Sequence, residues 1–141
     1  MPSFPECEKY KSDEKIVLQE KKSKITFLNP DRVKVLKIRV DGCVIKDNNS
    51  LRCDYMLIPN SELEIYVELK GSDVQYAVKQ IEATIQALSD DLKKKKKLCF
   101  VVSTRVPKQT TSIQQIQSQF KKKFNASFRV KSGQDTYNLK S

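Results

Sequence analysis

The stretch "LRCDYMLIPNSELEIYVELKG", residues 51 to 71, governs how the rest of the chain is read. Its two apolar runs, 51–58 and 63–70, flank Pro59-Asn60-Ser61-Glu62 and predict two antiparallel strands joined by a tight turn. With the turn centred on Ser61, Pro59 faces Leu63, Asp54 faces Glu68 and Arg52 faces Lys70. Residues paired directly across antiparallel strands project to one face, with Cβ atoms about 4.5–5.5 Å apart. Glu68 and Lys70 are two apart on one strand and share that face. This register therefore predicts a patch that holds Asp54, Glu68 and Lys70. A slip of one residue would send the two acids to opposite faces.

Upstream, "VKVLKIRVDGCVI" (33–45) alternates as one long or bent strand, with Leu36, Ile38 and Val40 on one side and a turn or bulge at Asp41-Gly42. Further back, "SDEKIVLQEKK" (12–22) carries a helix start signal, Ser12 as N-cap followed by Asp13 and Glu14, and predicts a short helix. "KITFLNP" then runs to a turn at Asn29-Pro30. Downstream, "GSDVQYAVKQIEATIQALSDDL" (71–92) is the clearest helix. Gly71 releases the strand, Ser72 and Gln75 form a capping box, and Val74, Ala77, Val78, Ile81, Ile85, Leu88 and Leu92 make one stripe. "LCFVV" (98–102) is apolar without alternation and predicts a central strand. A helix over 112–124 turns Ile113, Ile116, Phe120 and Phe124 inward, and a short strand near 128–130 precedes a polar tail. The expected fold is one α/β domain over 1–141 on a mixed α+β sheet. Its core, about 12–102, is helix, three-strand meander, helix and strand, followed by a C-terminal helix and strand over about 112–131.

The 141 residues are 38% hydrophobic and 31% charged, which suits a soluble globular protein. No apolar run approaches the ~20 residues that span a bilayer, and "MPSFPECEKY" lacks the apolar core of a signal peptide. The expectation is a cytoplasmic protein with no membrane partner. The formal charge of +10 favours a polyanionic partner, nucleic acid first. Cys7, Cys43, Cys53 and Cys99 are widely spaced with no CxxC pair, which predicts free thiols, two or three of them in the core, and no zinc site. The chain contains no histidine. Ser-His-Asp and Cys-His hydrolysis, histidine-based ribonuclease chemistry and histidine-ligated metals are thereby excluded. A catalyst built here works with carboxylates, lysines and a hard metal ion.

On the residues alone two readings of the opening stretch stay open. Positions 62, 64, 66, 68 and 70 are Glu, Glu, Tyr, Glu and Lys, the ordinary polar side of an amphipathic strand. The pattern acid-x-Lys also occurs at Asp13/Lys15, Glu20/Lys22 and Asp91/Lys93. Against that, Asp54 and Glu68 as direct partners repel one another. Moreover, only the Glu68 triplet ends a strand that follows another strand bearing an acid.

Cys53-Asp54, followed fourteen residues after Asp54 by Glu68-Leu69-Lys70, resembles the PD-(D/E)xK nucleases, a superfamily that includes restriction endonucleases and Holliday-junction resolvases. The resemblance covers about 33–102 and extends to the order of elements, with Cys53 in place of the usual proline. It implies a restriction-endonuclease-like core and a metal-dependent endonuclease that hydrolyses phosphodiester bonds in DNA, double-stranded or branched. Asp54, Glu68 and the Leu69 carbonyl would hold Mg²⁺ (or Mn²⁺). Lys70 would orient or deprotonate the attacking water or neutralise the transition state, and Gln80 would stand beside the site. Glu14 or Glu20 would supply a further acid from the first helix. A homodimer is the simplest way for such a site to cut both strands.

Lys93, Lys94, Lys95, Lys96 and Lys97, together with Arg105 and Lys108, are candidates to contact the phosphate backbone. Lys121, Lys122 and Lys123 complement the dipole of the last helix, and Tyr55, Tyr66 and Tyr76 read as packing residues. The competing readings are a nucleic-acid-binding domain on the same fold that does not cut, and a structural or protein-interaction domain. A ribonuclease toxin is disfavoured by the missing histidine.

Overall fold

The computed structural model describes residues 3–71, 73–105 and 111–140, and for Lys70, Gly71 and Thr111 the backbone alone. The elements are β1 (Glu8–Lys11), β2 (Lys15–Glu20), β3 (Ser23–Leu28), β4 (Val35–Arg39), β5 (Tyr55–Asn60), β6 (Leu63–Gly71), α1 (Val74–Leu88), β7 (Lys96–Ser103), α2 (Thr111–Phe124), β8 (Ala126–Ser132) and β9 (Gln134–Asn138). The main sheet has the order β1-β4-β5-β6-β7-β8, and β2-β3-β9 form a second sheet. From β1 to β6 neighbouring strands run antiparallel; β6, β7 and β8 run parallel, with α1 and α2 as the crossovers that parallel neighbours require. The chain is thus mixed α/β, as expected.

Register explains the two cores. Ile38, Met56, Tyr66, Cys99 and Phe128 are successive partners across five strands, so they form one row on one face. That face packs against Ala77, Ile81 and Ile85 of α1 and Ile116, Phe120 and Phe124 of α2. The opposite face, with Leu57, Ile65, Val67 and Phe100, packs against Ile16, Leu18, Ile25 and Phe27 of the second sheet. Rings of Phe27, Phe100 and Tyr137 meet edge to face there.

The helix expected over 12–22 is instead the first strand of a hairpin, β2–β3, closed at Lys21, whose φ is 50°. Ile16 and Leu18 are buried between exposed Lys15, Val17 and Gln19. This is a period of two, and burial on the sheet outweighs the cap-like Ser12-Asp13-Glu14. The second sheet, completed by β9, therefore covers the face opposite the helices. β9 was not expected from the polar tail; Tyr137 holds it inward, and Arg129 grips Asp135 through two bonds of 2.9 Å. The long strand expected over 33–45 ends at Arg39, and the chain turns at Gly42, whose φ of 77° favours glycine. Asp73 caps α1 by accepting from Tyr76 N at 3.2 Å; Ser72, expected in that role, lies outside the described residues. Leu92 falls beyond α1 and is exposed.

Cys7 and Cys43 form a disulfide, whereas Cys53 and Cys99 are buried free thiols. The expectation of four thiols fails because β1 pairs with β4 and carries Cys7 beside the turn that follows β4, with the two Cα atoms 5.7 Å apart. Disulfides persist in oxidising surroundings, so the cysteines lend no support to a reducing compartment. Among the described residues no helix is long and apolar enough to cross a membrane.

Candidate active site

The hairpin register matches the expected one over three pairs: Tyr55 with Val67, Met56 with Tyr66 and Leu57 with Ile65. It shifts beside the turn, where Asn60 rather than Pro59 faces Leu63. Asp54 lies just before β5, and its N–H donates to Val67 O at 3.0 Å, so the regular ladder stops at Tyr55 and does not run on to a direct Asp54–Glu68 pair. Its own carbonyl accepts from Val40 N at 2.9 Å and Asp41 N at 3.3 Å. One residue earlier, Cys53 N donates to the hydroxyl of Thr84 at 2.8 Å, and that hydroxyl donates to Gln80 O on α1. Three elements thus fix the backbone on which Asp54 sits.

Asp54 is 7% exposed and Glu68 6%, and their carboxyls meet in a side-chain hydrogen bond. Burial pushes Asp54 up to about 6, against the pull of the Leu69 N–H, which donates to Asp54 Oδ2 at 2.7 Å; the charges of Glu20 and Asp41 add to the rise. Burial also pushes Glu68 up to about 9, followed by the charge and hydrogen bond of Asp54 and then by Glu20 and Asp41. Without a cation the pair therefore keeps a proton at neutral pH, donated from Glu68 to Asp54. Glu68 Oε1 is buried with no hydrogen-bond partner among the described residues. Val67 O and Leu69 N both address the β5 side, so by strand alternation the Leu69 carbonyl faces that side too, beyond the last rung of the ladder.

Two further acids approach this strand end. Glu20 was expected on a helix; it lies instead at the end of β2, and its charge reaches both Asp54 and Glu68. Asp41 has the same reach but was read only as a turn residue. The one sequence signal for it was its place just after the strand that neighbours Asp54. Glu14, the other acid considered, is exposed, and its carboxylate lies 3.8 Å from Arg32. Gln80 lines a polar pocket of about 270 Å³ with Asp41, Asn49, Arg52 and Tyr76, whose described walls do not include Asp54 or Glu68. Arg52 clamps the 41–50 loop: its Nε donates to Asp41 Oδ1 at 2.9 Å and its Nη1 to the carbonyls of Asp47 and Ser50. Lys70 has its backbone in β6, and its side chain lies outside the described atoms.

The lysine run needs correction. Lys97 is fully buried, and its Nζ donates to four carbonyls, of Asp91 (2.6 Å), Leu92 (3.1 Å), Lys95 (2.7 Å) and Phe124 (3.1 Å). It ties the 91–95 loop to the end of α2 and is not free to meet a phosphate. Lys95 pairs with Asp90 at 3.1 Å. Lys93, Lys94 and Lys96 are exposed, but β7 runs parallel to β6 with Lys97 beside Glu64 and Val101 beside Glu68. At ~3.3 Å per residue the run lies about 13 Å or more from the acid pair, at the other end of the strands. Arg105 is exposed just past the near end of β7, and Lys108 lies outside the described residues. Of the tyrosines read as packing, Tyr66 is buried, whereas Tyr76 is 51% exposed.

Comparison with known proteins finds no matching family model, no matching curated protein and no matching solved structure. Among the described residues no three acidic or thiol side chains form a ready-made metal cage. What does fit a cation is narrower: two buried carboxyls pressed together, one oxygen with no donor, and a carbonyl turned to the same edge. Mg²⁺ accepts such a set because it keeps several of its waters.

Proposed function

We propose that this chain is a metal-dependent deoxyribonuclease of the PD-(D/E)xK kind, with Asp54 and Glu68 at its centre. The observation that carries the reading is the buried, donorless Glu68 oxygen beside Asp54. A sheet selected only for stability pairs such an oxygen or leaves it in water. Asp54, Glu68 and the Leu69 carbonyl would hold a divalent ion, Mg²⁺ or Mn²⁺. Once bound, the ion supplies positive charge to a phosphate and a water of lowered pKa.

The chain's own groups do the remaining work. Asp54 is kept in place by the Leu69 N–H and by the backbone ties of Asp54 to Val40, Asp41 and Val67. A cation would replace the proton that the two carboxyls now share, which removes their repulsion. Lys70, next in the strand, is assigned to the attacking water or the transition-state charge. Glu20 and Asp41 deepen the negative potential that draws a cation to this strand end. A twofold pair of such chains would cut both strands of a duplex.

The test is incubation of the full chain with plasmid and with short linear and branched duplexes, in Mg²⁺ or in EDTA. Mg²⁺-dependent cutting is expected, reduced about 10²–10⁴-fold by Lys70→Ala and at least as far by Asp54→Ala. No metal-dependent cutting of any substrate at high enzyme overturns the reading. Cutting that survives both substitutions removes these residues from it.

A further inference from the structure

The basic run at 93–97 stands at the far end of the strands from the acid pair, but the described residues carry a second cluster of positive charge. It lies on β1 and β4. A groove of about 410 Å³ has Lys9, Lys37, Arg39 and Tyr55 in its walls, together with Glu6 and Glu8. Lys9 pairs directly with Lys37, and Arg39 with Tyr55. Direct partners share a face, as do residues two apart on a strand, so Lys9, Lys11, Lys37, Arg39 and Tyr55 all stand on one side of the sheet.

This arrangement is costly for a sheet alone. Like charges directly opposite one another destabilise a strand pair, and none of these four cations forms an ion pair with a described residue. Of the two acids present, Glu8 is engaged by the Phe4 N–H at 2.6 Å. The Lys37 ammonium is pushed below its usual range, first by burial and then by Lys11 and Lys9. Its Nζ lies 5.2 Å from the centre of the Tyr55 ring, and Lys34 stands 4.3 Å from that of Tyr10.

The groove also has a direction. From the Lys9/Lys37 pair it reaches Arg39 and Tyr55, and the next residues in the chain on either strand are Val40 and Asp54. By alternation those two turn to the helical face, where Glu68 also lies, so the groove ends at the same strand end as the acid pair but on the opposite face of the sheet. Tyr55 is the direct partner of Arg39 and the chain neighbour of Asp54, with its ring against the second-sheet face.

We infer that the groove of Lys9, Lys37 and Arg39 holds the sugar–phosphate backbone of a DNA strand that passes round this strand end to the Asp54/Glu68 pair on the other face. The choice of DNA rests on the nuclease reading; the groove itself asks only for a chain of phosphates. Contacts of this kind give affinity and salt sensitivity without sequence preference, and the Tyr55 ring among the cations offers a face on which a base stacks.

The experiment measures binding alone. Full-length protein in EDTA is titrated against a labelled DNA single strand and its duplex, by anisotropy over a range of salt. One variant carries Lys9→Glu, Lys37→Glu and Arg39→Glu. A second carries Lys93→Glu, Lys94→Glu and Lys96→Glu, the same change in net charge at the far end of the strands. The groove variant is expected to lose at least about tenfold in affinity, and its log–log salt slope to fall by about 2–3, at roughly 0.7–0.9 per phosphate contact. The far-end variant should change less than about threefold. Should the groove variant not fold, the exposed pair Lys9→Gln and Arg39→Gln is read instead, with a loss of about threefold or more expected. Equal losses in both triple variants, a larger loss in the far-end one, an unchanged exposed pair, or no DNA binding by the wild type would each overturn the groove. Binding that depends on the groove while Mg²⁺ elicits no cutting would keep the groove and remove the nuclease. Wild-type cutting by the groove variant at limiting DNA would do the reverse.

Discussion

Glu64 and Glu68 lie four residues apart on β6, both buried and both on the helical face of the sheet, yet their surroundings are opposite. Glu64 accepts from the Tyr66 hydroxyl at 2.9 Å, from Ser89 Oγ at 2.6 Å and from Asp90 N at 3.0 Å. Its neighbour across the parallel strands, Lys97, spends its ammonium on four carbonyls. Glu68 meets another carboxyl and leaves Oε1 with no donor among the described residues. A buried charge surrounded by fixed donors is a structural part, complete in itself. A buried carboxyl without them raises the free energy of the fold, here through the proton it must take up, and persists where something else completes it.

The comparison can be broken at either end. The largest effects belong to the far end: Lys97→Ala or Glu64→Ala leaves buried partners unmatched and should cost about 3–5 kcal/mol in urea unfolding. A loss below ~1 kcal/mol would show that this network is not what holds the end together. Next comes metal. At pH 8 and about 100 times its dissociation constant, Mg²⁺ should stabilise the wild type by about 2.7 kcal/mol, seen as a rise in melting temperature. Asp54→Asn should abolish that rise, and a wild type indifferent to Mg²⁺ would count against the acid pair as a cation site. Smaller still, and opposite in sign to the far end, Glu68→Gln in EDTA at neutral pH should stabilise the protein by about 1 kcal/mol or more, because the amide can donate to Asp54 without the cost of keeping a carboxyl protonated that is ionised in the unfolded chain. Glu64→Gln should destabilise it. If the two substitutions act with the same sign, the two glutamates do not differ in kind.

The shallowest signal is in pH. Asp54 is raised to about 6 and Glu68 to about 9, both above their unfolded values of 3.8 and 4.5. Between about pH 4 and pH 9 the folded state therefore holds more protons than the unfolded chain. The contribution of the pair to metal-free stability is full below about pH 4 and declines as pH rises through that window. Denaturant titrations at several pH values should show the decline, and the double substitution Asp54→Asn, Glu68→Gln should flatten it.

Much of the fold was legible. The meander β4–β5–β6, the stripe of α1, the unalternated β7 and the inward face of α2 follow from spacings of two and 3.6, which each segment expresses on its own. The turn beside Ser61, with apolar residues on both flanks, fixed the register of Tyr55, Met56 and Leu57 against Val67, Tyr66 and Ile65, and just past its end the Asp54 and Glu68 carboxyls meet without being direct ladder partners. The 12–22 segment misled because Ser12-Asp13-Glu14 imitates a helix start, and the alternation that overrides it spans only six residues. Glu20 reached the site from a strand rather than a helix for the same reason. Asp41 stayed hidden in a turn, and nothing local marked Tyr55 or Lys37 as members of a cationic face.

The amino-acid sequence by itself determined where strands and helices form, the facing of the central hairpin and the exclusion of histidine chemistry, since these depend on residue type and short-range spacing. Only the tertiary structure decided which charges are spent and which are left open. Lys97 is indistinguishable within a run of five lysines, and Glu64 and Glu68 are the same residue on the same side of one strand. What separates them is the set of donors and acceptors that distant segments bring, from Ser89 and Asp90 to Glu64, from Phe124 to Lys97 and from Cys43 to Cys7. Such partners lie 25 or more residues away, and packing alone brings them together.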